Sequence, residues 1–243
     1  MNAMIDVVLP TFNDLSNLKN AIECVRNQTF RFWRLYVIDN YSTDGTWDYL
    51  TTLTDERITS LRLKNKGCIA KSRNYGIVHG SAPYISFLDS DDIWFENKLD
   101  EMLKLMLETD SHVSCHAQYW TTENKSFPVF YGSNNQSIHQ TLLYRGNCLG
   151  TSATMVRRDY IQAAGLFPED ARYITAEDYF LWIALSEITD RFIFSKQILG
   201  CYQINPNGQS RRIRTHNIAV RNVINKYFCE MDCLKPYDNR LFL

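Results

Sequence analysis

The sequence predicts an α/β protein whose mostly parallel sheet is covered by helices on both faces. Two observations support this fold class. Short apolar, β-branched runs alternate over residues 1–110 with segments whose apolar residues recur at helical spacing, and the links between them are short. Parallel strands need such crossovers, usually helices, before the chain can return to the same sheet. The 243 residues suffice for one domain of this kind with a smaller C-terminal region.

The elements of this first part follow one another in order. Strands are expected over residues 5–9, 33–38, 58–63 and 84–88, and helices over residues 15–25, around 46–50, over 69–78 and over 99–107. The first strand is expected to stop at Pro10, because proline is typical of strand ends. Asn13 or Asp14 is expected to cap the helix that follows.

The pattern changes at about residue 111. We expect a strand over residues 112–120, a polar loop at 121–126, a turn near 132–135 and a strand at 151–156, with helices near 160–164, 177–187 and 211–231. No linker rich in Pro, Gly or Ser separates the two parts. We therefore expect residues 1–110 and 111–210 to be two halves of one domain, followed by a helical extension at 211–243.

Composition excludes several classes of protein. The net charge of -1 argues against a dedicated nucleic-acid-binding protein. No run approaches the roughly 18–20 apolar residues of a membrane-spanning helix. The N-terminus lacks the basic and apolar regions of a secretory signal. The seven cysteines are odd in number and scattered, so we expect reduced thiols in a cytoplasmic protein.

Three polar segments follow predicted strands at the point where each strand ends. They are Pro10-Thr11, Asp39-Asn40 and Asp89-Ser90-Asp91-Asp92. Ligands of open α/β sheets bind at the carboxyl ends of the strands. The three segments are therefore expected to converge on a single crevice.

Of the three segments, the acidic one, residues 89–92, indicates a particular ligand most specifically. Three carboxylates within four residues repel one another unless a cation compensates them. Mg²⁺ or Mn²⁺ binds through one or two carboxylates together with the phosphate oxygens of a substrate. The alternative is that Asp91 and Asp92 only cap or charge the start of a helix.

Other polar residues allow two interpretations each. Asp39 could accept hydrogen bonds from a base or ribose, or could be an ordinary turn residue. Arg73 could bind a diphosphate, or could face solvent. Asp178, next to Glu177, could be a general base for an acceptor hydroxyl, or the pair could simply stabilise a helix start.

The sequence resembles the family-2 glycosyltransferases of the GT-A fold. An ordered set of short motifs carries the resemblance and covers roughly residues 5–210. The motifs are Val7–Asn13, Asn27–Phe30, Val37–Thr46, Asn65–Gly67, Ala70–Gly76, Tyr84–Trp94, Val156–Arg158, Gly165–Phe167 and Glu177–Tyr179. Each motif is weak alone, but the ordered set is specific.

The resemblance implies an enzyme that transfers a hexose or N-acetylhexosamine, with inversion, from a nucleoside diphosphate sugar. A UDP-sugar is the expected donor, and a glycan or lipid-linked saccharide of surface polysaccharide synthesis is the expected acceptor. Residues 1–110 become the nucleotide-sugar half and residues 111–210 the acceptor half. Asp91 and Asp89 are implied to hold Mn²⁺ or Mg²⁺, and Asp178 to be the catalytic base. The residues implied to bind substrate are Pro10, Thr11, Asn13, Asp39, Arg73, Ser90 and Glu177.

The chain departs from the family pattern in two places. Asn40 and Tyr41 stand where the family often has a second acid and a glycine. Tyr202 to Asn205 lacks the Arg and His of a common Tyr-Arg-x-His stretch, although the Asn205 amide oxygen could still coordinate a metal. The basic segment 211–231 either packs on the catalytic part or rests peripherally on the inner face of an anionic membrane.

Other functions fit the sequence less well. A Rossmann dehydrogenase would carry Gly-x-Gly-x-x-Gly after the first strand, and a sugar nucleotidyltransferase would carry a Gly-rich loop with an Arg. The segment Pro10–Asn13 is neither. A non-enzymatic alternative is a degenerate nucleotide-sugar-binding protein, against which the joint presence of Asp89, Asp91 and Asp178 argues.

Overall fold

The computed structural model describes residues 4–132, 137–204 and 213–229. The strands within these ranges are β1 (Ile5–Thr11), β2 (Trp33–Asp39), β3 (Ile58–Arg62), β4 (Tyr84–Phe87), β5 (Ile93–Trp94), β6 (Val113–Thr121), β7 (Ser126–Val129), β8 (Thr154–Arg157) and β9 (Phe192–Gln203). The helices are α1 (Leu15–Arg26), α2 (Thr46–Thr51), α3 (Ile69–His79), α4 (Lys98–Thr109), α5 (Ile138–Arg145), α6 (Arg158–Ala163), α7 (Glu177–Ile188) and α8 (Ile213–Cys229). Single 3₁₀ turns span Thr151–Ala153 and Ala171–Tyr173.

The strands form one sheet in the order β3-β2-β1-β4-β8-β6-β9-β5, with β7 paired to β6. The strands β3, β2, β1 and β4 are parallel, as the sequence predicts. β8 is antiparallel to both β4 and β6, whereas β6 and β9 are parallel. The two predicted halves therefore share one sheet that runs unbroken past residue 110.

The first strand does not stop at Pro10 but continues to Thr11. Pro10 stands opposite Ile38 on the β2 side, whereas the pairing with β4 ends at Val8. Proline is tolerated where a strand lacks a neighbour that needs its N–H. All residues of β1 are buried, and α1 packs Leu18, Ala21, Ile22 and Val25 into the core on one side of the sheet.

The predicted cap of α1 is only partly correct. Asp14 occupies the N-cap position, but its side chain caps no backbone N–H. The Leu15 N–H instead donates to Asp44 Oδ2 from the β2–α2 loop at 2.9 Å. The Asp14 carboxylate is engaged elsewhere, since it accepts from Ser90 Oγ at 2.9 Å and from Asn17 Nδ2 at 2.8 Å. The first loop is thus tied to two other loops at the same sheet edge.

The second part contains elements that the sequence analysis did not predict. These are β9, β7 and α5; the two-residue strand β5, also not predicted, lies in the first part. The predicted strand at 151–156 is a 3₁₀ turn followed by β8, and the predicted polar loop at 121–126 forms the tight connection from β6 to β7. The predicted turn near 132–135 lies outside the described residues after Gly132, and so does Asn205.

Helix α8 packs against α7. Its residues Ala219, Val223, Ile224 and Tyr227 are buried in the same core as α7. The Tyr227 hydroxyl donates to the Phe180 carbonyl at 3.3 Å. Of the predicted segment 211–231, the first two and last two residues lie outside the described ranges. Among the helices that the structure describes, none combines the length and the apolar character needed to cross a bilayer.

Candidate active site

A crevice of about 1020 Å³ opens at the carboxyl ends of β1 and β4. Its walls come from the β1–α1 loop, the segment before α3, the acidic turn after β4, β6, the loop before β8 and the start of α7. Nine of the ten residues predicted for the site line it. They are Pro10, Thr11, Asn13, Arg73, Asp89, Ser90, Asp91, Glu177 and Asp178.

The acidic turn, residues 89–92, follows β4 and places its carboxylates in two different environments. Asp89 and Asp91 face the crevice and are partly exposed, whereas Asp92 is 1 % exposed. The Asp92 N–H donates to the Asp89 carbonyl at 3.1 Å, which closes the turn, and Asp92 Oδ1 accepts from the Gln203 N–H at 3.0 Å. Asp92 therefore fastens the turn to β9, and Asp89 and Asp91 remain at the crevice wall.

Arg73 connects the acidic turn to the start of α7. Its Nη2 donates to Asp89 Oδ1 at 2.7 Å, and its Nη1 donates to Glu177 Oε1 at 2.9 Å. The Arg73 side chain is 4 % exposed and that of Glu177 is 9 % exposed, so both ion pairs lie in the interior wall. The guanidinium thus holds two protein carboxylates through its terminal nitrogens, whereas its buried Nε has no hydrogen-bond partner among the described residues.

Asp178 is held by three donors. Its Oδ2 accepts from Thr151 Oγ1 at 3.1 Å and from Asn147 Nδ2 at 3.2 Å, and its Oδ1 accepts from the Tyr179 N–H at 2.7 Å. Two of these donors belong to the loop that precedes β8, far from α7 in sequence. The carboxylate is therefore fixed in orientation at the crevice wall, as a proton acceptor requires.

The β1–α1 loop forms another part of the crevice wall. Asn13 adopts a left-handed backbone with φ of 49°, its N–H donates to Ser42 Oγ, and its Oδ1 accepts from the Thr43 N–H at 2.7 Å. The Thr11 hydroxyl is buried and has no hydrogen-bond partner among the residues that the structure describes. A buried hydroxyl beside a crevice is suited to hydrogen-bond with a bound ligand.

Comparison with known proteins identifies the family. The sequence profile of glycosyl transferase family 2 matches residues 6–164. The chain belongs to this family. It is 28 % identical over 211 residues to UDP-Glc:alpha-D-GlcNAc-diphosphoundecaprenol beta-1,3-glucosyltransferase WfgD of Escherichia coli, a match that covers 84 % of this chain and 80 % of WfgD. It is 31 % identical over 230 residues to an uncharacterized glycosyltransferase of Rickettsia bellii, and this match covers 93 % of the chain but only 31 % of that protein.

Solved structures agree on the fold. The chain is similar to S. aureus TarS 1–349 in complex with UDP, with a TM-score of 0.69, 18 % identity, and coverage of 94 % of this chain and 72 % of the TarS chain. It is equally similar to the mannosyltransferase PcManGT from Pyrobaculum calidifontis in complex with GDP-Man and Mn²⁺, with a TM-score of 0.69, 16 % identity, and coverage of 97 % and 66 %. The protein is thus a glycosyltransferase with the GT-A fold.

One predicted site residue lies outside the crevice of this glycosyltransferase. Asp39 is fully buried, its Oδ1 accepts from the Ser42 N–H at 2.9 Å, and its Oδ2 accepts from Arg62 Nε at 2.9 Å. Arg62 is the parallel-register neighbour of Asp39 on β3. The next residue, Asn40, does line the crevice. Both Asp39 oxygens therefore accept hydrogen bonds from other residues of the protein. The residue stabilises the carboxyl end of β2 and does not line the crevice.

Burial and like charge raise the pKa values of the acids around the turn. Burial first, and then Asp89 and Asp14, raise the pKa of Asp91 to about 6. Burial and the neighbouring acids also raise the pKa of Asp92, and burial raises that of Glu177 although Arg73 opposes the change. Burial would lower the pKa of Arg73, but Asp89 and Glu177 outweigh it, so the pKa is raised. The glycosyltransferase thus concentrates negative charge beside its crevice.

The described part of the chain contains no group of three or more His, Cys, Asp or Glu side chains arranged to hold a metal ion without help. The acid-x-acid pair offers two carboxylates, Asp89 and Asp91. A hard divalent cation commonly binds through one or two carboxylates and completes its shell with substrate phosphates and water. The donor set therefore fits an ion that binds together with a diphosphate.

The loop from 147 to 152 is the main part of the site that the sequence analysis missed. Asn147 and Thr151 hold Asp178, and Ser152 Oγ accepts from the Asp89 N–H at 3.1 Å. The Trp94 indole N–H donates to the Ser152 carbonyl at 2.7 Å and anchors the loop. One short segment thus positions both the base candidate and the acidic turn. No local pattern marks it, because its partners lie far away in sequence.

Proposed function

We propose that this glycosyltransferase moves a hexose or N-acetylhexosamine, with inversion, from a UDP-sugar to a lipid-linked saccharide in surface polysaccharide synthesis. The observation that carries the proposal is the Arg73 bridge, which joins Asp89 of the acidic turn to Glu177, beside Asp178, within the wall of one crevice. The activity for which WfgD is named, a UDP-glucose-dependent transfer to a diphosphoundecaprenol-linked sugar, supports the choice of donor and acceptor. The UDP complex of TarS supports the choice of nucleotide.

Asp91 and Asp89 would hold Mn²⁺ or Mg²⁺ in this proposal. The fit rests on the pair of carboxylates at the crevice wall, where burial first, and then the neighbouring acids Asp89 and Asp14, raise the pKa of Asp91 to about 6, and a bound cation would relieve the repulsion between the charged forms. The Mn²⁺ in the PcManGT complex supports the choice of metal. When bound, the ion would neutralise the charge that develops on the departing diphosphate.

The residues of the chain perform the remaining steps. Thr11, Asn13 and Pro10 contact the nucleoside at one end of the crevice, and Ser90 contacts the sugar diphosphate. Asp178 accepts the proton of the acceptor hydroxyl while the hydroxyl oxygen bonds to the anomeric carbon. The bond from that carbon to the diphosphate oxygen breaks on the opposite face, so the configuration inverts. Asn147 and Thr151 keep the Asp178 carboxylate oriented during the transfer.

Thermal shift with a panel of nucleoside diphosphate sugars, each with and without Mn²⁺, tests this proposal. We expect one UDP-sugar to stabilise the protein in a Mn²⁺-dependent way, by about 2.7 kcal/mol at a hundredfold excess over its Kd. Asp91→Ala should abolish this stabilisation. Asp100→Ala, which changes an exposed aspartate of α4, is the matched control and should preserve it. No response to any donor would refute the proposed donor class.

A lipid-linked acceptor would bring the enzyme to the inner face of a membrane. Helix α8 keeps Arg214 and Arg221 exposed, together with Ile213 and Ile218, while its other apolar residues pack inward. Exposed cations beside apolar side chains favour an anionic lipid surface. Flotation with anionic vesicles should therefore recover the protein, and Arg214→Glu with Arg221→Glu should release it. Absence of the wild-type protein from the vesicle fraction would refute the proposed membrane contact.

A further inference from the structure

One wall of the crevice differs in chemistry from the rest. Gln118, Trp120, Tyr131 and Tyr202 line it, and we call these four residues the aromatic wall. Gln118 and Trp120 come from β6, Tyr202 comes from β9, and Tyr131 follows β7. No charged side chain belongs to this set, whereas the acidic turn and Arg73 stand elsewhere on the crevice surface. The aromatic wall is therefore suited to a neutral ligand.

A chain of hydrogen bonds fixes the rings of the aromatic wall. Trp120 Nε1 donates to the Tyr131 hydroxyl at 3.1 Å, and this hydroxyl donates to Gln118 Oε1 at 3.0 Å. The Trp120 and Tyr202 ring centroids lie 5.1 Å apart with planes inclined by 45°. Gln118 is 1 % exposed, and its Nε2 has no hydrogen-bond partner among the described residues. The rings are thus held in place before any ligand binds.

Gly150 sets the position of the aromatic wall next to the base candidate. A Cβ atom at this position would lie 2.6 Å from the Tyr131 hydroxyl oxygen and 3.0 Å from Gln118 Oε1. Any larger residue would push Tyr131 out of the hydrogen-bonded chain. The next residue, Thr151, donates to Asp178. The ring surface and the proposed proton acceptor are therefore positioned by neighbouring residues of one loop.

The combination of flat rings with the neutral amide of Gln118 is suited to one class of ligand. A pyranose presents apolar C–H groups on its faces, which pack against aromatic rings, and hydroxyl groups at its rim, which pair with amides. A phosphate would need cations, and a lipid chain would need a wall without unsatisfied polar groups such as Gln118 Nε2.

We propose that the aromatic wall is a carbohydrate subsite that stacks the accepting pyranose on Trp120 and directs its hydroxyl toward Asp178. This proposal rests on the proposed glycosyl transfer and names the residues that select its acceptor. Trp120 supplies the stacking surface, Tyr131 and Gln118 fix its plane, and Gly150 gives Tyr131 the space that it needs.

Saturation-transfer NMR with alkyl α- and β-pyranosides of glucose, galactose and their N-acetyl forms tests the subsite. The wild-type protein should transfer saturation to the ring C–H protons of at least one pyranoside. Trp120→Ala should raise the dissociation constant of that pyranoside about tenfold, which corresponds to the loss of one aromatic contact, and Trp120→Phe should raise it less. Gly150→Ala should also weaken binding, although it removes no ring. Phe127→Ala is the matched control, because this exposed ring lies 6.4 Å from Trp120 but outside the crevice, and it should bind as the wild type does.

Each outcome decides a separate question. Thermal shift with UDP-sugars and Mn²⁺ is measured on the same samples. Donor stabilisation without saturation transfer to any pyranoside, or unchanged pyranoside binding in Trp120→Ala, would overturn the carbohydrate subsite but leave the donor assignment intact. Pyranoside binding that depends on Trp120, without donor stabilisation, would refute the proposed function and preserve a sugar-binding wall.

Discussion

The crevice has two sides that are held together by different forces. The charged cluster, which consists of Arg73, Asp89, Asp91, Glu177 and Asp178, depends on ion pairs and charge-assisted hydrogen bonds. The aromatic wall depends on neutral hydrogen bonds and ring packing. Charged groups in a partly buried site respond strongly to pH and cations, whereas a neutral wall responds to shape. Mutations on the two sides should therefore have different effects on activity and stability.

We also expect the two sides of the crevice to affect different kinetic parameters. Groups that touch the reacting atoms act mainly in the transition state, so their loss lowers kcat. A stacking surface contacts the ground state and the transition state alike, so its loss raises the acceptor KM. Variants of the charged cluster and of the aromatic wall can be sorted on this basis.

The largest effect is expected from Asp178→Asn. An amide cannot accept the acceptor proton, so kcat should fall by about 10²–10⁴-fold. The amide nearly preserves shape, and donor binding measured by calorimetry should stay unchanged. Initial-rate assays with a lipid-linked sugar acceptor check the rate. A kcat within threefold of the wild type would exclude Asp178 as the base. It would also contradict the expectation that the charged cluster determines the rate.

The second effect concerns stability. Arg73→Met should lower the free energy of unfolding by about 3–5 kcal/mol, because it leaves Asp89 and Glu177 without their shared cation in a buried wall. Urea denaturation measures the change. Arg172→Met is the matched control, since the Arg172–Asp170 pair is exposed, and it should leave the urea midpoint unchanged. An equal response of the two variants would show that the Arg73 bridge is not a structural link.

The parts of this architecture that could be predicted from the sequence are those with local signals. β1 and α1 are short periodic segments with turn residues at their ends, and the acidic turn follows a strand directly. The sequence does not predict strand β9 because the polar residues at 195–197 interrupt its apolar pattern, at the place where its pairing with β6 is irregular. Its position depends on β6, about 80 residues earlier, which no local pattern can show.

The site follows the same rule. Motifs predict roles for Asp91 and Asp178, but no motif predicts the residues that orient Asp178, since Asn147 and Thr151 meet it only after α7 packs against the loop. Asp39 shows the converse case. Its motif predicts a nucleoside contact, yet its register neighbour Arg62 binds it inside the protein. Sequence spacing indicates which residues reach the sheet edge, and tertiary contacts decide which of them face the ligand.

The third prediction concerns pH and the charged cluster alone. The folded pKa of Asp91 is about 6, above the ordinary value of 3.8. Between these values the folded protein keeps a proton that the unfolded chain has lost. Asp91 should therefore lower the free energy of unfolding of the metal-free protein as pH rises from about 4 to about 6, by at most about 1.4 kcal/mol per pH unit. Asp92 and Glu177, whose pKa values are also raised, act in the same direction.

Denaturant titrations across this pH range measure the slope. Asp91→Asn should make the slope less steep, because the amide does not titrate, while Asp92 and Glu177 still contribute; Trp120→Phe should leave the slope as in the wild type. Mn²⁺ with UDP should oppose the loss above pH 6, where a deprotonated Asp91 can bind the ion. A slope in Asp91→Asn as steep as that of the wild type would show that Asp91 does not contribute to it.

The smallest effect should come from Thr151, which acts on the reaction through Asp178. Thr151→Val keeps the shape of the side chain but removes one of three donors to the carboxylate, so kcat should fall about tenfold. Thr151→Ser restores the hydroxyl and should recover most of the rate. The acceptor KM should change little in either variant, in contrast to Trp120→Ala. If Thr151→Val instead raised the acceptor KM and spared kcat, the loop would belong functionally to the aromatic wall, and the boundary between the two sides would lie at Asp178 itself.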